Sequence, residues 1–365
     1  MATSQFYVDE TTPANSGTGT TGDPYLSLAY AFSQNSNVPS GDGFYFNIKG
    51  ASSTGTAITS FGTFPTKGGS NSATVLGIRP WVTTPGEFDV TDLVYFDGGG
   101  ISTKVWTDTV TDYVDFINCH FFNHTSEFFQ LDRNVTFWNC TFDGCTPKMN
   151  VNARAMYSSF INQTGSKSSF SSYLGSQCIG CLFHRTGTGT TDMVSCQFVS
   201  NCVFISDTSA GAFVVCYSAS NTIDNNTFAY KSGITTGKAI KSSRAAYISN
   251  NYFENCEYGI YCETAQASHA VSNNAFYGVT NQLGNDSATP NTNSMNSTVL
   301  GFSGLEDLAN DDYLPSATLI TANAAMDSPL PWGSIDSPFF GAIPSPAGGG
   351  GGGSYIHIPR IRTIT

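Results

Sequence analysis

Carboxyl groups are the side chains of this sequence with the clearest catalytic potential, because hydrolysis of a glycosidic bond requires two of them about 5 Å or about 6.5–9.5 Å apart. The candidates are spread over several segments: Asp115, Asp132, Asp143, Asp207, Asp224, Glu254, Glu257 and Glu263. The adjacent pair Asp311 and Asp312 lies late in the chain, and no such pair occurs in the central region. The carboxylates alone therefore provide no distinct hydrolase signature.

The cysteines and histidines do not form a metal-binding pattern. All ten cysteines fall between Cys119 and Cys262, and their spacing follows a repeat rather than a cross-linking scheme. Cys178 and Cys181 form an isolated Cys-x-x-Cys, which two buried positions of one repeat explain, and the sequence contains no His-x-His. We therefore expect free, buried thiols, no zinc or redox centre and no bound cofactor.

Composition limits the classes of protein to which this chain can belong. Of 365 residues, 12% are charged and 40% hydrophobic, which excludes a disordered polymer and a coiled coil. A net charge of −12 disfavours nucleic acid and anionic membranes as partners, because both require basic patches. The chain has no run of 18 apolar residues and no basic or apolar N-terminal region, so we expect neither a membrane span nor a secretory signal.

A repeat of 21–25 residues, anchored on a phenylalanine, organises the central region. Its copies are FINCHF (116–121), FWNCTF (137–142), CIGCLF (178–183), VSNCVF (199–204), IDNNTF (223–228), ISNNYF (248–253) and VSNNAF (271–276). The interval between anchors widens once, to 41 residues between Phe142 and Phe183, which indicates a degenerate copy near Phe160. The unit is too short for a propeller blade and lacks the leucine pattern of a horseshoe repeat.

Each position of the repeat has a physical meaning. We expect the final phenylalanine and the residue five before it to face inward. The position two before the phenylalanine predicts a core ladder of small hydrophobes and of amides that bond from turn to turn: Cys119, Cys140, Cys181, Cys202, Asn226, Asn251 and Asn274. The preceding position is asparagine in six copies, and asparagine suits a left-handed bend. Strand, bend and strand, repeated, predict a parallel β-solenoid.

The apolar-x-Asn-Asn-x-Phe pattern resembles the repeats of the right-handed parallel β-helix (pectate-lyase-like) superfamily, and in particular its phage virion and tailspike branch. The opening is similar as well. Tyr7-Val8-Asp9, a Gly/Thr-rich loop that ends at Tyr25, and residues 26–32 resemble the first strand and amphipathic capping helix of that superfamily. The resemblance covers about residues 7–345. It implies a fold rather than a function, because this fold includes lyases, hydrolases, adhesins and structural proteins.

Within that superfamily, a lyase of the pectate type needs carboxylates for calcium and an arginine or lysine base. The best such set falls within one repeat and its loop: Asp224, Lys238, Lys241 and Arg244. Solvated loop charges are the alternative interpretation of these residues. The Asn-Thr-Asp and His-Gly elements of the polygalacturonase branch are missing. Calcium is therefore expected only if the chain is a lyase.

We predict an all-β chain: a single-stranded parallel β-helix of about ten rungs, with an N-terminal cap containing a short helix and a C-terminal extended arm. Residues 1–40 form the cap, 41–280 the β-helix, and 281–347 an irregular closing segment that wraps the last rung. Residues 348–365 comprise a hexaglycine linker and a β-prone arm, whose predicted assembly residues are Tyr355, Ile356, Ile358, Arg360, Ile361, Arg362 and Ile364. Such an arm can add a strand to a neighbouring subunit; a disordered tail is the alternative.

These features favour a non-enzymatic structural protein of the virion exterior, as capsid decoration (cement) or an appendage subunit, made in the host cytoplasm and assembled through its arm. The expected partners are its own copies, as a homotrimer by analogy with the superfamily, and other virion proteins, with neither nucleic acid nor membrane. The alternative is a tailspike or secreted polysaccharide depolymerase, or a glycan-binding adhesin. In that case Trp81, Trp106 and Trp138, as exposed aromatics, would stack on the sugar rings of a surface polysaccharide; a structural role in the core is the alternative for each.

Overall fold

Parallel β-strands form nearly all of the regular structure in the computed structural model. It describes residues 3–11, 14–35, 37–38, 43–49, 57–67, 75–81, 93–108, 113–131, 134–149, 153–163, 170–171, 176–187, 191–208, 211–217, 221–231, 236–263, 269–285, 292–295, 298–299, 305–307 and 312–315. The chain divides into two units. Unit 1 comprises Met1–Gln163 and Ser169–Ser176, and unit 2 comprises Thr164–Ser168 and Gln177–Thr365.

Unit 1 is built from short strands that pair in parallel with strands one rung away. In chain order its elements are β1 (Thr3–Asp9), α1 (Leu28–Gln34), β2 (Asn37–Val38), β3 (Gly43–Lys49), β4 (Thr66–Lys67), β5 (Leu76–Pro80), β6 (Val94–Asp97), β7 (Trp106–Asp108), β8 (Tyr113–Ile117), β9 (Cys119–Phe122), β10 (Glu127–Leu131), β11 (Asn134–Trp138), β12 (Thr141–Asp143), β13 (Thr146–Met149), β14 (Ala153–Met156), β15 (Ser159–Gln163) and β16 (Phe170–Ser171). Sheet I of this unit is β1-β3-β5-β8-β11-β14, sheet II is β6-β9-β12-β15, and sheet III is β7-β10-β13. A separate parallel pair joins β2 to β4.

Unit 2 repeats the arrangement with greater regularity. Its strands are β17 (Gln177–Ile179), β18 (Leu182–Arg185), β19 (Val194–Ser195), β20 (Phe198–Ser200), β21 (Val203–Ser206), β22 (Ala212–Cys216), β23 (Asn221–Asp224), β24 (Thr227–Tyr230), β25 (Lys238–Ser242), β26 (Ala246–Ser249), β27 (Tyr252–Glu254), β28 (Tyr258–Cys262), β29 (His269–Ser272), β30 (Ala275–Tyr277), β31 (Asn281–Asn285), β32 (Thr292–Met295), β33 (Thr298–Val299), β34 (Leu305–Asp307) and β35 (Asp312–Pro315). Sheet I is β17-β20-β23-β26-β29-β32, sheet II is β18-β21-β24-β27-β30-β33, and sheet III is β19-β22-β25-β28-β31. An antiparallel pair, β34 with β35, follows the last rung.

The anchoring phenylalanines of the repeat form the core of each unit, where they stack on one another along sheet II. In unit 1 the rings of Phe96, Phe121, Phe142 and Phe160 lie 4.8–5.1 Å apart, centroid to centroid. In unit 2 the series Phe183, Phe204, Phe228, Phe253 and Phe276 has spacings of 4.8–5.2 Å. These spacings match the ~4.8 Å between paired strands, so each ring stacks offset on the ring of the next rung. Phe160 occupies this stack, which confirms the degenerate copy.

The N-terminal end of sheet I is covered by a loop and a helix. The loop pairs with the outer edge of β1, where Asp9 donates its backbone N–H to the carbonyl of Tyr25 at 2.7 Å and Tyr25 donates to Tyr7 at 2.9 Å. Helix α1 starts at Ser27, whose hydroxyl accepts the backbone N–H of Tyr30 at 3.1 Å, and it buries its apolar side against the core. Both elements protect an edge that would otherwise be open to pairing with another chain.

The predicted all-β parallel solenoid is confirmed, and the described helix α1 overlaps the predicted capping helix at 26–32. The rung count of about ten is approximate, because sheet I contains six strands in each unit. Strand β1 lies within the segment assigned to the cap and is the first strand of sheet I. The closing segment beyond Pro315 and the whole arm at 348–365 lie outside the described residues.

Candidate functional site

The corner between sheets I and II begins with a residue in the left-handed conformation in eight successive rungs. The φ angles at these positions lie between 51° and 64°: Asn118, Asn139, Tyr157, Gly180, Asn201, Asn225, Asn250 and Asn273. Asparagine and glycine enter this region at low energetic cost, whereas a tyrosine there is uncommon. In each rung this bend directs the side chain of the following residue into the interior of the solenoid.

The inward residue after each bend forms the ladder that the repeat predicts. The side-chain carbonyl of Asn251 accepts the backbone and amide N–H groups of Asn226, at 2.9 and 3.0 Å. Asn274 accepts the same two groups from Asn251, at 2.9 and 3.1 Å. At the end of the series, Asn226 accepts the backbone N–H of Cys202 at 2.9 Å. Every asparagine of the ladder is fully buried, so these bonds satisfy amides that would be costly to leave unpaired.

The cysteines of the ladder are buried and unbridged, as are all ten cysteines of the chain. Their sulfur atoms contact backbone carbonyls, for example Cys140 Sγ at 3.2 Å from the carbonyl of Phe116. Burial raises the pKa of the Cys119 and Cys202 thiols well above their usual range, because a thiolate would lose its hydration. These side chains therefore act as small hydrophobes. In the degenerate rung the ladder position is Ser158, whose hydroxyl accepts the backbone N–H of Cys140 at 3.1 Å.

Among the predicted lyase residues, Asp224 lies on the outward side of sheet I in unit 2. Its Oδ1 atom accepts hydrogen bonds from the Ser249 hydroxyl and the Asn250 amide, both at 2.8 Å. Ser249 pairs directly with Asp224 in the next rung, and Asn250 starts the corner of that rung. The carboxylate thus links two rungs at a corner.

The basic members of the predicted lyase set belong to a different sheet. Lys238 and Lys241 lie on β25 of sheet III, and exposed Arg244 follows that strand. Lys241 Nζ lies 2.8 Å from a Glu263 carboxylate oxygen, and this hydrogen bond raises the pKa of the lysine. Lys238 Nζ lies 3.4 Å from the centroid of the Tyr261 ring. Among the described residues, no hydrogen bond or ion pair joins these three cations to Asp224.

The three tryptophans proposed to stack on sugars differ in exposure. Trp106 is 1% exposed and packs in the core of unit 1, so the core role, and not the exposed one, is the correct interpretation of this residue. Trp81 contacts the edge of the Tyr7 ring at 5.0 Å between centroids, and Lys49 lies over it at 5.1 Å. Trp138 is 43% exposed at the end of β11, where its ring meets that of Tyr157 at 5.2 Å. Only Trp138 of these three is thus established as an exposed ring.

The outward side of sheet II in unit 1 brings together aromatic and acidic side chains that the repeat pattern does not predict. We call Tyr95, Asp97, His120, Phe122 and Asp143 the unit 1 outer surface. Tyr95 pairs with His120 and Asp97 with Phe122 between β6 and β9, and Asp143 lies on the following strand, β12. The Tyr95 and Phe122 rings flank the imidazole, with centroids 5.3 and 5.4 Å from that of His120. All five side chains are partly exposed.

The two carboxylates of the unit 1 outer surface are held in place by left-handed asparagines at the far end of sheet II in the following rungs. Asp97 accepts the Asn123 amide at 2.7 Å, and Asp143 accepts the Asn162 amide at 2.7 Å. Because the two strands are separated by one intervening strand, the Asp97 and Asp143 backbones lie about 10 Å apart. Burial lowers the pKa of His120, although Asp143 at 4.0 Å opposes that shift, so the imidazole is neutral at pH 7.

Several predicted functional elements cannot be located. All seven assembly residues of the arm, from Tyr355 to Ile364, lie outside the described residues, and so does the carboxylate candidate Asp132. Where the chain is described, no helix has the length and hydropathy needed to cross a membrane.

Comparison with known families gives one match. The family model described as "Periplasmic copper-binding protein (NosD)" matches residues 107–301, which is more than half of the chain. This range contains most of the phenylalanine-anchored rungs of both units. Neither curated proteins nor solved structures give a significant match.

Proposed function

The chain belongs to the NosD family, and we propose that this member is a non-enzymatic structural protein of a virion exterior. In this role it is a capsid-decorating (cement) protein or an appendage subunit, made in the host cytoplasm. Its partners are copies of itself, as a homotrimer, and other virion proteins. The arm at 348–365, tethered by six glycines, joins the solenoid to its neighbours by adding a strand.

The observation that carries this proposal is the structural use of the predicted catalytic groups. Asp224 ties two rungs together through Ser249 and Asn250, while Lys241 is paired with Glu263. A lyase base and its metal-binding carboxylate must face the same substrate, whereas Asp224 and Lys241 lie on different sheets. These contacts favour side chains that hold a rigid rod in shape over side chains that turn over a substrate.

The thiols support assembly in a reducing compartment. Ten unbridged cysteines in one chain are typical of a protein that folds in the cytoplasm, because oxidising compartments favour disulfides. Particles assembled in the cytoplasm and released by lysis expose such a protein only after its thiols are buried.

The family description names copper, but the described residues do not suit that metal. Copper(I) selects thiolate and thioether ligands, and the thiolate is the form that binds. Burial raises the pKa of Cys178 well above its usual range and that of Cys216 to about 12, so both remain thiols. Across the described ranges, no three His, Cys, Asp or Glu side chains lie close enough to share an ion.

The test of the structural role is the copy number of this chain per purified virus particle, measured by mass spectrometry against isotope-labelled peptides. A copy number comparable with that of the capsid subunit supports a decorating protein. A few copies in multiples of three support an appendage. Absence of the chain from particles, with its transcript present in infected cells, would overturn the proposal.

A second candidate, glycan binding with hydrolysis, is favoured by the unit 1 outer surface. Aromatic faces beside carboxylates are suited to stack on sugar rings and to bond their hydroxyls. The backbones of Asp97 and Asp143 are about 10 Å apart, just beyond the ~6.5–9.5 Å that separates the carboxyl groups of inverting glycosidases, so a slight inclination of the side chains toward each other would bring them into that range. Phe122 lies between them, where a sugar ring would stack.

Binding and cleavage of host-surface polysaccharides distinguish this candidate from the first. Asp143→Asn and Phe122→Ala should each abolish retention on a polysaccharide column if the surface binds glycan, and Asp97→Asn should abolish release of oligosaccharides. Asp115→Asn, a partly exposed carboxylate on sheet I of the same unit, is the matched control and should change neither. Retention by the wild-type chain that survives both Asp143→Asn and Phe122→Ala would exclude this surface as the binding site.

A further inference from the structure

Nine outward side chains of sheet II in unit 2 are buried, although they point away from the solenoid interior, whereas Tyr277, which continues the second row, is partly exposed. They alternate along each strand with the inward phenylalanine stack. Two rows result, with exposed fractions between 0% and 8%: Leu182, Val203, Thr227, Tyr252 and Ala275 in the first row, and His184, Ile205, Ala229 and Glu254 in the second. We call these nine residues the covered face.

This burial is not a general property of outward positions in the protein. Tyr247, on the outward side of sheet I in the same rung as Tyr252, is 60% exposed. In unit 1 the outward residues Tyr95 and His120 of sheet II are partly exposed, although Ser159 in the last rung of that unit is buried. An outward tyrosine with no exposed surface, as Tyr252 is, requires chain packed over it.

The part of the covered face that is available to a partner is mainly apolar. The Tyr252 hydroxyl donates to the Glu254 carboxylate within the face itself. His184 Nε2 lies 3.0 Å from Asp207 Oδ1 at the rim, and Lys231 Nζ lies 3.2 Å from the same oxygen. With these polar groups paired, the remaining surface consists mainly of aliphatic side chains and favours an apolar partner.

The loops of the same rungs are too short to cover the first row. The corner next to that row has only two residues between strands, for example between β23 and β24 or between β26 and β27. The longer loops leave from the opposite edge of sheet II, beside the second row. The cover of the first row must therefore come from chain other than these corners.

We propose that residues 316–347 lie across the covered face as a strap. The described chain lies at the end of this face at β33, the terminal strand of sheet II in unit 2, and Pro315, after which the proposed strap begins, follows it by 16 residues. The strap has 32 residues, whereas about seven extended residues span the ~20 Å of five paired strands. Its length allows one pass over each row.

The composition of the strap matches the face. Its only charged residues are Asp327 and Asp336, and its large apolar side chains are Leu319, Ile320, Met326, Leu330, Trp332, Ile335, Phe339, Phe340 and Ile343. Five prolines favour extended backbone and remove N–H donors, which suits a segment that lies on side chains rather than pairing with a strand. The strap is an alternative to the expectation that this segment wraps the last rung.

Site-specific photocrosslinking tests the strap independently of the proposed function. Tyr252 is replaced by p-azidophenylalanine, which nearly preserves its shape, in the full-length chain. We expect crosslinked product at monomer mass, with the modified peptide joined to a peptide from 316–347. The same replacement at exposed Tyr247 is the matched control and should yield no such peptide. A crosslink at dimer mass would assign the face to a second copy of the chain, and a crosslink to any other segment would assign it to that segment; either result overturns the proposal.

Truncation provides a second measurement that does not depend on the replaced tyrosine. A chain that ends at Pro315 should bind the apolar dye ANS, while a chain that ends at Ala347 should bind no more dye than the full-length protein. Equal dye binding by the two truncated chains, with circular dichroism showing both folded, would refute the strap.

Discussion

Replacement of Asn251 should expose how strongly the buried amide ladder stabilises unit 2. Its carbonyl accepts two N–H groups from Asn226, and its amide donates to the Ile223 carbonyl at 3.0 Å and to Asn274 at 3.1 Å. Asn251→Ala removes four hydrogen bonds and leaves the backbone N–H of Asn226 buried without a partner. An orphaned donor costs about 1–3 kcal/mol, and a cavity in a closed core adds a comparable amount. We expect the free energy of unfolding to fall by about 3–5 kcal/mol.

The assay is equilibrium urea unfolding, followed by far-ultraviolet circular dichroism under reducing conditions. Asn250→Gly is the control, because glycine adopts the φ of 55° at this corner without strain and the change removes only the part-buried hydrogen bond from the Asn250 amide to Asp224. This neighbouring change should cost less than about 1 kcal/mol. The loss of stability for Asn251→Cys should fall between those of the other two variants, because a cysteine at this position can accept one backbone N–H. Cys202 accepts the backbone N–H of Cys181 in this way, at 3.4 Å, in the same ladder. A loss below about 1 kcal/mol for Asn251→Ala would show that the ladder bonds have little net value and would refute the reasoning.

Three further outcomes test the thiols and the arm. Burial raises the pKa of Cys262 to about 11 and of Cys216 to about 12, above the 9.0 of a free thiol; stability is therefore full below pH 9 and falls as pH rises toward those values. Each such thiol should cost about 1 kcal/mol by pH 10, visible as a falling melting temperature in the presence of a reductant; a flat profile would contradict this. Titration with Ellman's reagent should find ten thiols in the unfolded chain and almost none in the native one; fewer than ten after unfolding would indicate disulfides. Deletion of 348–365 should leave the melting temperature unchanged and abolish oligomers in light scattering, whereas unchanged oligomers would remove the arm from assembly.

The fold follows from the sequence because its repeat has the same chemistry at the same positions in nearly every rung. Phe228 and Phe253 stack because they occupy the same position of neighbouring rungs and pair directly. The ladder residues Asn226 and Asn251 each precede their phenylalanine by two residues. The degenerate rung was located from the spacing of the phenylalanines, but its ladder residue was not. There the ladder residue is Ser158, a type that the pattern of cysteine and asparagine does not contain.

A second series of inward residues lies at the end of sheet II in unit 1. It could not be recognised from residue type, because its members differ in chemistry. It contains His124, Cys145 and Gln163, three unrelated side chains. What they share is the preceding left-handed residue, which is asparagine in two rungs and glycine in the third. A weak periodicity of Asn and Gly after the phenylalanine is the signal that could have found it.

The unit 1 outer surface was equally hidden, because outward positions carry no repeat. Asp97 and Asp143 are 46 residues apart in sequence, and only the pairing of β6 with β9 and of β9 with β12 places them on either side of Phe122. Conversely, Asp224 and Lys238 are close in sequence but lie on different sheets. Register, rather than sequence distance, decides which side chains meet.

The corner between sheets I and II has a consequence for how such a chain can change in length. In unit 2 this corner always has two residues, whereas the connections from sheet II to sheet III range from three residues after β27 to eight after β18. Deletion of one residue at the rigid corner would reverse the inward and outward faces of every following position in that rung. Insertions in the variable connections leave the register intact. Foreign peptides grafted there should be displayed at intervals of about 4.8 Å along a fixed axis, so that the choice of rungs would set the distance between two displayed epitopes.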